Sequence, residues 1–368
     1  MIRCAWKYLR FSPSRSLLIV SSVALGTVLM TFLCSVYRGV SDGTLDYILQ
    51  NRCDLWVLQE NATNIVRGSS ILPAKQSRIL SDLPGVGSLS PLLLFLSVVR
   101  TPTSEGTVYL VGYDLRKPLG GPPRVVIGRA IERDYEIVLD DCFAAKYGIL
   151  PGDTVICNRQ KLEVVGLSEG TNAFVIQYAF VTLTMAQRLV GDLKIVSAFL
   201  VNAADSESVQ TLSNEITSRL PKSSVFTHEQ FVSANRREMQ SGFLPFIIAV
   251  CIISVAVLVI ILSSLLSLMI MERRADFAVM KTLGASAGFL PGLILNLSAQ
   301  AATIGIVAGI FLFLPVTSLI RLIAPELRTV TTFSELALVI STVFVTCLLS
   351  GLLPMQKLRT IYPAETLQ

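Results

Sequence analysis

The side chains that could carry bond-making chemistry are sparse in this chain of 368 residues. A single histidine, His228, cannot supply the several imidazoles of a usual zinc set, and no two cysteines show the two-residue spacing of a zinc ribbon. No Gly-x-x-x-x-Gly-Lys-Ser/Thr loop is present, so the chain has no phosphate cradle of that kind for ATP. Asp140-Asp141 is a candidate acid–base pair, yet neighbours on a helix point apart, and an Asp ahead of an apolar helix caps its free N–H groups. His228 reads similarly, as the polar start of a helix. Cys53, Cys142 and Cys157 share one polar stretch while Cys4, Cys34, Cys251 and Cys347 lie in or beside apolar runs, and nothing in their spacing demands a disulfide. No catalytic, cofactor-binding or metal-ligating residue is expected.

The informative run is 272–286, Glu-Arg-Arg-Ala-Asp-Phe-Ala-Val-Met-Lys-Thr-Leu-Gly-Ala-Ser. Ala275, Val279 and Thr282 fall near one side of a helix, Phe277 and Met280 project elsewhere, and Gly284 is placed to end it. A solvated connection would not need Phe277, Val279, Met280 and Leu283 together. A short helix that is charged at its start and apolar on its faces is built to dock into a partner's groove.

The elements that position this run are apolar. Hydrophobic residues make up 52% of the chain and charged residues only 15%, against about 25% in ordinary soluble domains. The deficit is concentrated in 17–37, 243–271, 287–320 and 336–353, which contain no Asp, Glu, Lys or Arg. Runs of about 18 or more such residues cross a hydrocarbon core of about 30 Å as helix, which excludes a simple soluble enzyme. The first run is too long for a signal-peptide core and ends in Tyr37-Arg38, so it reads as an uncleaved anchor. The expected fold class is an α-helical membrane protein with four transmembrane helices and a large extracytoplasmic mixed α/β domain between the first and second.

Orientation follows from basic residues, which are retained on the cytoplasmic side. Arg3, Lys7, Arg10 and Arg15, then Arg273, Arg274 and Lys281, then Lys357 and Arg359 outweigh Arg321 and Arg328 in the opposite loop. Both termini are therefore expected in the cytoplasm, with the insert outside the cytoplasmic membrane. The net charge of +5 belongs to the membrane-proximal parts and points to anionic lipid, not nucleic acid. The resulting order is a cytoplasmic amphipathic helix (1–16, with Ile2, Ala5, Trp6 and Leu9 on one side), a first span (17–37), the outer domain (42–240) and a second span (243–271). The helix 272–286, a third span (289–320), a fourth (336–353) and a cytoplasmic tail (354–368) complete it.

Within the insert, strands are expected at Asp54 to Gln59, Leu89 to Arg100, Thr107 to Tyr113, Glu136 to Leu139 and Ile195 to Val201. A hairpin is expected from Thr154 to Cys157 and Leu162 to Leu167, turning at Asn158-Arg159-Gln160. Helices are expected over Pro73 to Leu83, Asp141 to Tyr147, Thr184 to Val190 and Ser206 to Leu220, and from His228 a helix that runs straight into the second span. On the third span Ala301, Gly305 and Gly309 repeat every four residues, a small-residue ridge that lets a neighbouring span or a second copy of the chain approach closely. Asn296, Gln300 and Thr303 form a polar stripe that should face protein.

The run from Glu272-Arg273-Arg274 through Lys281-Thr282-Leu283-Gly284-Ala285-Ser286 resembles the coupling helix of the FtsX-like permeases. These are type VII ABC transporter subunits that include the MacB, LolC/LolE and DevC types. Asp276 stands for the family's Glu, Phe277-Ala278 for Ile-Gly, and Thr282 for Ala; the third-span Gln300 stands where the family often has Glu. The tail, Leu353-Pro354 with Lys357, Arg359 and Tyr362-Pro363-Ala364-Glu365-Thr366-Leu367, is similar to the family's ending. Gly112-Tyr113-Asp114, Gly128-Arg129, Tyr147-Gly148 and Pro151-Gly152-Asp153 resemble turns of the MacB-like periplasmic core.

The resemblance implies a non-catalytic subunit with no cofactor of its own, ATP and Mg being bound by a separate cytoplasmic ABC ATPase dimer. It assigns Glu272, Arg273, Arg274, Asp276, Phe277, Met280, Lys281, Leu283 and Gly284 to ATPase coupling. Further partners are a second permease copy or paralogue, the lipid bilayer and, in an exporter, a periplasmic membrane-fusion adaptor. The implied task is mechanotransmission for export or extraction of a lipid, lipoprotein or amphiphile, with a DevC-like exporter the nearer match. The alternative is an FtsX-like signal to a cell-wall hydrolase or sensor kinase.

Overall fold

The computed structural model describes residues 13–65, 70–102, 104–117, 119–173, 176–204, 209–272, 279–280, 288–324, 327 and 329–352. The amphipathic helix expected at 1–16 falls almost entirely outside the described residues, as do most of 272–286 and the tail. The chain divides into two compact units, one of residues 1–38, 244–322 and 329–368, the other of 39–243 and 323–328.

The first unit is a helix bundle. Among the described residues, four helices are long and apolar enough to cross a membrane: α1 (Pro13–Gln50), the Leu244–Glu272 part of a longer helix, Pro291–Ile320 and Phe333–Ser350. Ile19, Val23 and Met30 of α1 meet Leu258, Leu262 and Leu266, then Leu293, Leu297 and Ala301, then Val339, Val343 and Cys347 in one buried core. The spacing of four repeats in each helix because residues four apart share a helix face. The opposite faces expose Ile252, Ile253, Ile260, Phe311, Leu314 and Leu338, an apolar exterior suited to lipid. The last helix starts at Phe333, before its charge-free run, because Thr332 and Glu335 form a reciprocal capping box that satisfies its first N–H groups.

The second unit is mixed α/β. Its strands are β1 (Leu55–Gln59), β2 (Leu72–Pro73), β3 (Val86–Arg100), β4 (Glu105–Tyr113), β5 (Val125–Gly128), β6 (Glu136–Asp140) and β7 (Thr154–Cys157). Then come β8 (Gln160–Ser168), β9 (Asn172–Ala173), β10 (Ile176–Thr182), β11 (Ile195–Val196), β12 (Ala198–Ala203) and β13 (Ser223–Thr227). The helices are α2 (Gln76–Ser81), α3 (Asp141–Tyr147), α4 (Leu183–Leu189), α5 (Val209–Arg219) and α6 (His228–Glu272), with α7 (Phe289–Ile323) and α8 (Phe333–Ser350) in the bundle.

One sheet runs in the order β13-β1-β12-β3-β4-β10-β6-β8-β5, with β7 joining β3 to β8. Most pairs are antiparallel, but β10 lies parallel to β4 and β6 parallel to β8. One face is covered by α3 and α4 and by α2 and α5. The other is covered by the last turns of α1, through Leu45, Tyr47 and Ile48, and the first turns of α6, through Phe231 and Val232. The β7–β8 hairpin turns on Asn158 and Arg159, both at positive φ (44° and 69°), as a tight two-residue turn twisted like its strands requires. Gln160, expected in the turn, opens β8 instead. The edge strands β5 and β13 were not among the expected elements. The thiols of Cys53, Cys142 and Cys157 are free.

Candidate coupling site

At the start of the coupling run the structure gives Glu272 a partner. Its carboxylate is paired with the guanidinium of Arg15 on α1, so the end of the second apolar helix is tied to the beginning of the first. Met280 and Val279 are helical and diverge: Met280 is half-buried and packs against the bundle core, whereas Val279 is 47% exposed. Of these two described residues, Val279 is the one whose apolar surface is exposed. Arg273, Arg274, Asp276, Phe277, Lys281, Leu283 and Gly284 lie outside the described residues.

A second ion pair marks the other end of α1. Arg38 donates to Glu335 Oε1 at 2.8 Å and to Thr332 Oγ1 at 2.7 Å, and Glu335 also accepts from the Thr332 backbone N–H at 3.2 Å. At about 1.5 Å of rise per residue, Arg15 and Arg38 are about 35 Å apart along the helix, close to the thickness of a hydrocarbon core. The first span is therefore pinned by charge at both of its water-facing ends, to the second span at one and to the fourth at the other. Sequence reasoning missed these pairings, although the signal was present: each charge directly flanks or approaches a charge-free run. Beside Glu335, Cys34 and Tyr37 of α1, Leu244 and Cys251 of α6 and Thr342 of α8 line an apolar cleft of about 520 Å³.

The small-residue ridge of α7 meets the chain's own first helix. A Cβ on Gly305 would lie 2.5 Å from Val23 Cβ and 3.1 Å from the Val20 carbonyl oxygen; one on Gly309 would lie 2.7 Å from Thr27 Cβ and 2.8 Å from the Ala24 carbonyl oxygen. Ala301 is buried in the same core. The close neighbour is thus an internal span. Asn296 is half-buried and donates to the Gly292 carbonyl at 2.8 Å; Gln300 is half-buried, but Thr303 is exposed and returns its hydroxyl to Ala299 O. The polar stripe is split, two members turned inward and one outward.

In the second unit the acidic candidates hold structure. Asp140 is fully buried and caps α3, accepting from the Cys142 and Phe143 N–H groups at 3.0 and 3.1 Å, while Thr171 donates to its other oxygen at 2.7 Å. Burial pushes its carboxyl up to about 7 against the opposing pull of the Thr171 hydroxyl. Asp140, Asp141 and Cys142 place their ligand-type atoms within 4.8 Å of one another, but the cap already occupies Asp140. His228 donates its backbone N–H to Asp54 O at 3.2 Å, and burial, with Arg52 nearby, holds its imidazole below the usual value.

Glu136 is buried beneath two arginines. Arg129 donates to both of its oxygens at 2.9 and 2.6 Å, Arg133 adds 2.8 Å, and the Glu132 N–H adds 2.9 Å. The Arg129 hydrogen bonds hold this carboxyl down at about 2, so its stabilising effect is present above its unfolded value near 4.5 and is lost as pH falls toward 2. Because both guanidiniums are substantially exposed, the Glu136→Gln change is expected to cost only about 2 kcal/mol, and to flatten the acid limb of a thermal-stability profile between pH 5 and 2.

A family model of the MacB-like periplasmic core domain matches residues 16–219, and one of the FtsX-like permease C-terminal region matches residues 246–363. The chain belongs to the FtsX/MacB-type ABC transporter permeases. The permease is 27% identical over 290 residues to an ABC transporter permease of Mycobacterium tuberculosis, covering 76% of each chain. It is 25% identical over 293 residues to one of Mycobacterium bovis, covering 77% of this chain and 76% of that one. Among solved structures it aligns with the periplasmic region of MacB from Actinobacillus actinomycetemcomitans at 14% identity and a TM-score of 0.39, covering 49% of the permease and 90% of that region. The extracellular domain of the ABC-type transporter YknZ from Gram-positive bacteria aligns at 13% identity and 0.38, covering 48% and 100%. Among its described residues the permease has four candidate membrane-spanning helices, with its MacB-like α/β domain between the first and second.

Proposed function

We propose that this permease transmits the ATP-driven movement of a separate cytoplasmic ABC ATPase pair to its MacB-like domain on the outer side of the bacterial inner membrane. Both termini and 272–286 lie in the cytoplasm in this reading, ATP and Mg reside on the ATPase, and a second permease copy or paralogue completes the complex. The transmitted movement serves export or extraction of a lipid, lipoprotein or other amphiphile.

The observation that carries the reading is helical continuity. α1 is one helix of 38 residues and α6 one of 45 with a single interior proline, Pro245, each longer than a membrane crossing requires, and the far end of each is built into the core of the inserted domain. A helix resists compression because its turns are hydrogen-bonded to one another, so displacement at one end reaches the other, although Pro245 removes one such bond from α6. The location of Glu272, at the end of α6 where the coupling run begins, makes that helix the nearer receiver.

The exposed Val279 provides the test. Placing a charge on an apolar docking surface costs its desolvation, so Val279→Asp is expected to lower cargo-stimulated ATP hydrolysis by about tenfold or more in reconstituted vesicles. Membrane insertion and thermal stability should be unchanged. Full stimulation in that variant would count heavily against docking at this run. Copurification from the native membrane should also bring down an ABC ATPase; a cell-wall hydrolase or sensor kinase in place of an export adaptor would redirect the reading to signalling.

A further inference from the structure

The two ion pairs that hold the first membrane helix differ in what accounts for them. Glu335 stands in the first turn of α8, where its carboxylate completes the capping box with Thr332 and meets the positive end of the helix dipole. Its place is explained without Arg38. Glu272 has no such explanation. It is the last residue of α6, at the negative end of that helix, where a cation is the favoured charge. Arg15 is its mirror image, a cation in the first turn of α1, where an anion is favoured.

Each charge is thus opposed by its own helix, and each is compensated by the other, the guanidinium donating to the carboxylate. With the two side chains 34% and 39% exposed, solvent screening leaves the pair only a small share of global stability. A contact that opposes both helix dipoles and contributes little to stability acts by setting position. What it positions is the run that follows Glu272. Further along that run Met280 packs against the bundle core, while Val279 is 47% exposed. The run is therefore held to the bundle at two residues, Glu272 through charge and Met280 through packing. The family resemblance groups Glu272 with the residues that couple to the ATPase, but its carboxylate is turned to α1.

We infer that Glu272 is a positioning residue whose partner is Arg15 and not the ATPase: the pair fixes where 272–286 begins relative to the first membrane helix, so that a push on this run is delivered to α1 and α6 together. This inference rests on the coupling reading above. It adds how the run is aligned, and it removes one residue from the docking surface.

Charge reversal separates alignment from docking. The permease is reconstituted in lipid nanodiscs with the ABC ATPase that copurifies with it. Its stimulation of ATP hydrolysis is then compared among the parent, Arg15→Glu, Glu272→Arg and the variant carrying both changes. Each single reversal is expected to lower the stimulation about tenfold, and the double reversal to restore it to within about twofold of the parent. The double variant puts each charge at the helix end that favours it, so its thermal midpoint should equal or exceed the parent's. Should a single reversal fail to assemble, the neutral set decides. Arg15→Gln and Glu272→Gln should each lower the stimulation about threefold, and the two together no further, because both remove the same interaction. A double reversal as low as Glu272→Arg, neutral changes whose effects multiply, or full stimulation in every variant of the pair would overturn this inference. Loss of stimulation in Val279→Asp would then leave docking at 272–286 standing. ATP hydrolysis that does not depend on the parent permease at all would overturn both.

Discussion

Replacing Gly305 or Gly309 by leucine is expected to produce the largest loss of stability available to a single change in the bundle. The obstacle is partly backbone: the new Cβ at Gly309 would lie 2.8 Å from the Ala24 carbonyl oxygen, and the one at Gly305 would lie 3.1 Å from that of Val20. A flexible side chain could swing away from such a contact, but a helix backbone can yield only by moving α1 and α7 apart. Separation would also strip packing from Ile19, Val23, Ala301 and Ile306, which share the buried core. In lipid the loss is felt as packing, because hydrocarbon tails solvate an exposed leucine as well as a neighbouring helix does. Overpacking of this kind costs about 3 kcal/mol, seen as a lower thermal midpoint of the detergent-solubilised permease. The more conservative Gly305→Ala should fall between the parent and the leucine variant. An unshifted midpoint in both leucine variants would refute the close approach of these helices.

The second large effect is a pH-dependent stabilisation by Asp140→Asn. In the folded domain the Asp140 carboxyl is raised to about 7 from an ordinary value near 3.8, chiefly by burial. The folded state therefore holds this proton more tightly than the unfolded chain does. Its favourable contribution is complete below about pH 4 and is lost as pH rises through 7, where a buried charge must be carried. Asparagine retains an oxygen for the Cys142 and Phe143 N–H groups, and its amide can turn toward Thr171, so the cap survives without the charge. The variant should match the parent near pH 4 and exceed it by about 2 kcal/mol at pH 8, a discounted share of the pKa displacement. Thermal melts at the two pH values decide the matter. Asp140→Ala, which removes the cap, should be destabilised at both. Glu136 has the opposite sign and a more acidic window, so a rise in parent stability between pH 2 and 5 belongs to it and a fall toward pH 8 to Asp140.

Much of this was legible because local rules suffice where one residue type dominates a stretch. The charge-free runs announced the apolar helices. The β-branched and apolar character of their segments announced β1, β3 and β4, and Asp140 ahead of Cys142-Phe143-Ala144 announced a capped helix that spans Asp141–Tyr147. Other elements followed non-local rules. The first charge-free run ends at Tyr37 and the residues beyond it, with Asp42 and Asp46, carry no expected element, yet the helix continues to Gln50 because Leu45, Tyr47 and Ile48 pack under the sheet. The strand β5 has no clear period of its own. It exists because Val125 and Gly128 can pair with β8, where Gly128 takes a φ of +80° and its lack of a Cβ admits the Val165 carbonyl.

The same division separates the parts of the coupling site. The amino-acid order alone determined that the chain has four apolar spans, a large polar insert after the first, and a short amphipathic run with Phe277, Met280 and Leu283 between the second and third. These properties depend on composition and on neighbours three or four residues away. Only the tertiary structure decided that Glu272 pairs with Arg15, that Arg38 pairs with Glu335, that the glycine ridge receives α1, and that Val279 is more exposed than Met280. Each of these joins residues far apart in sequence. Such choices are made by the packing of whole helices, where shape and charge across an interface outweigh the preferences of any single segment.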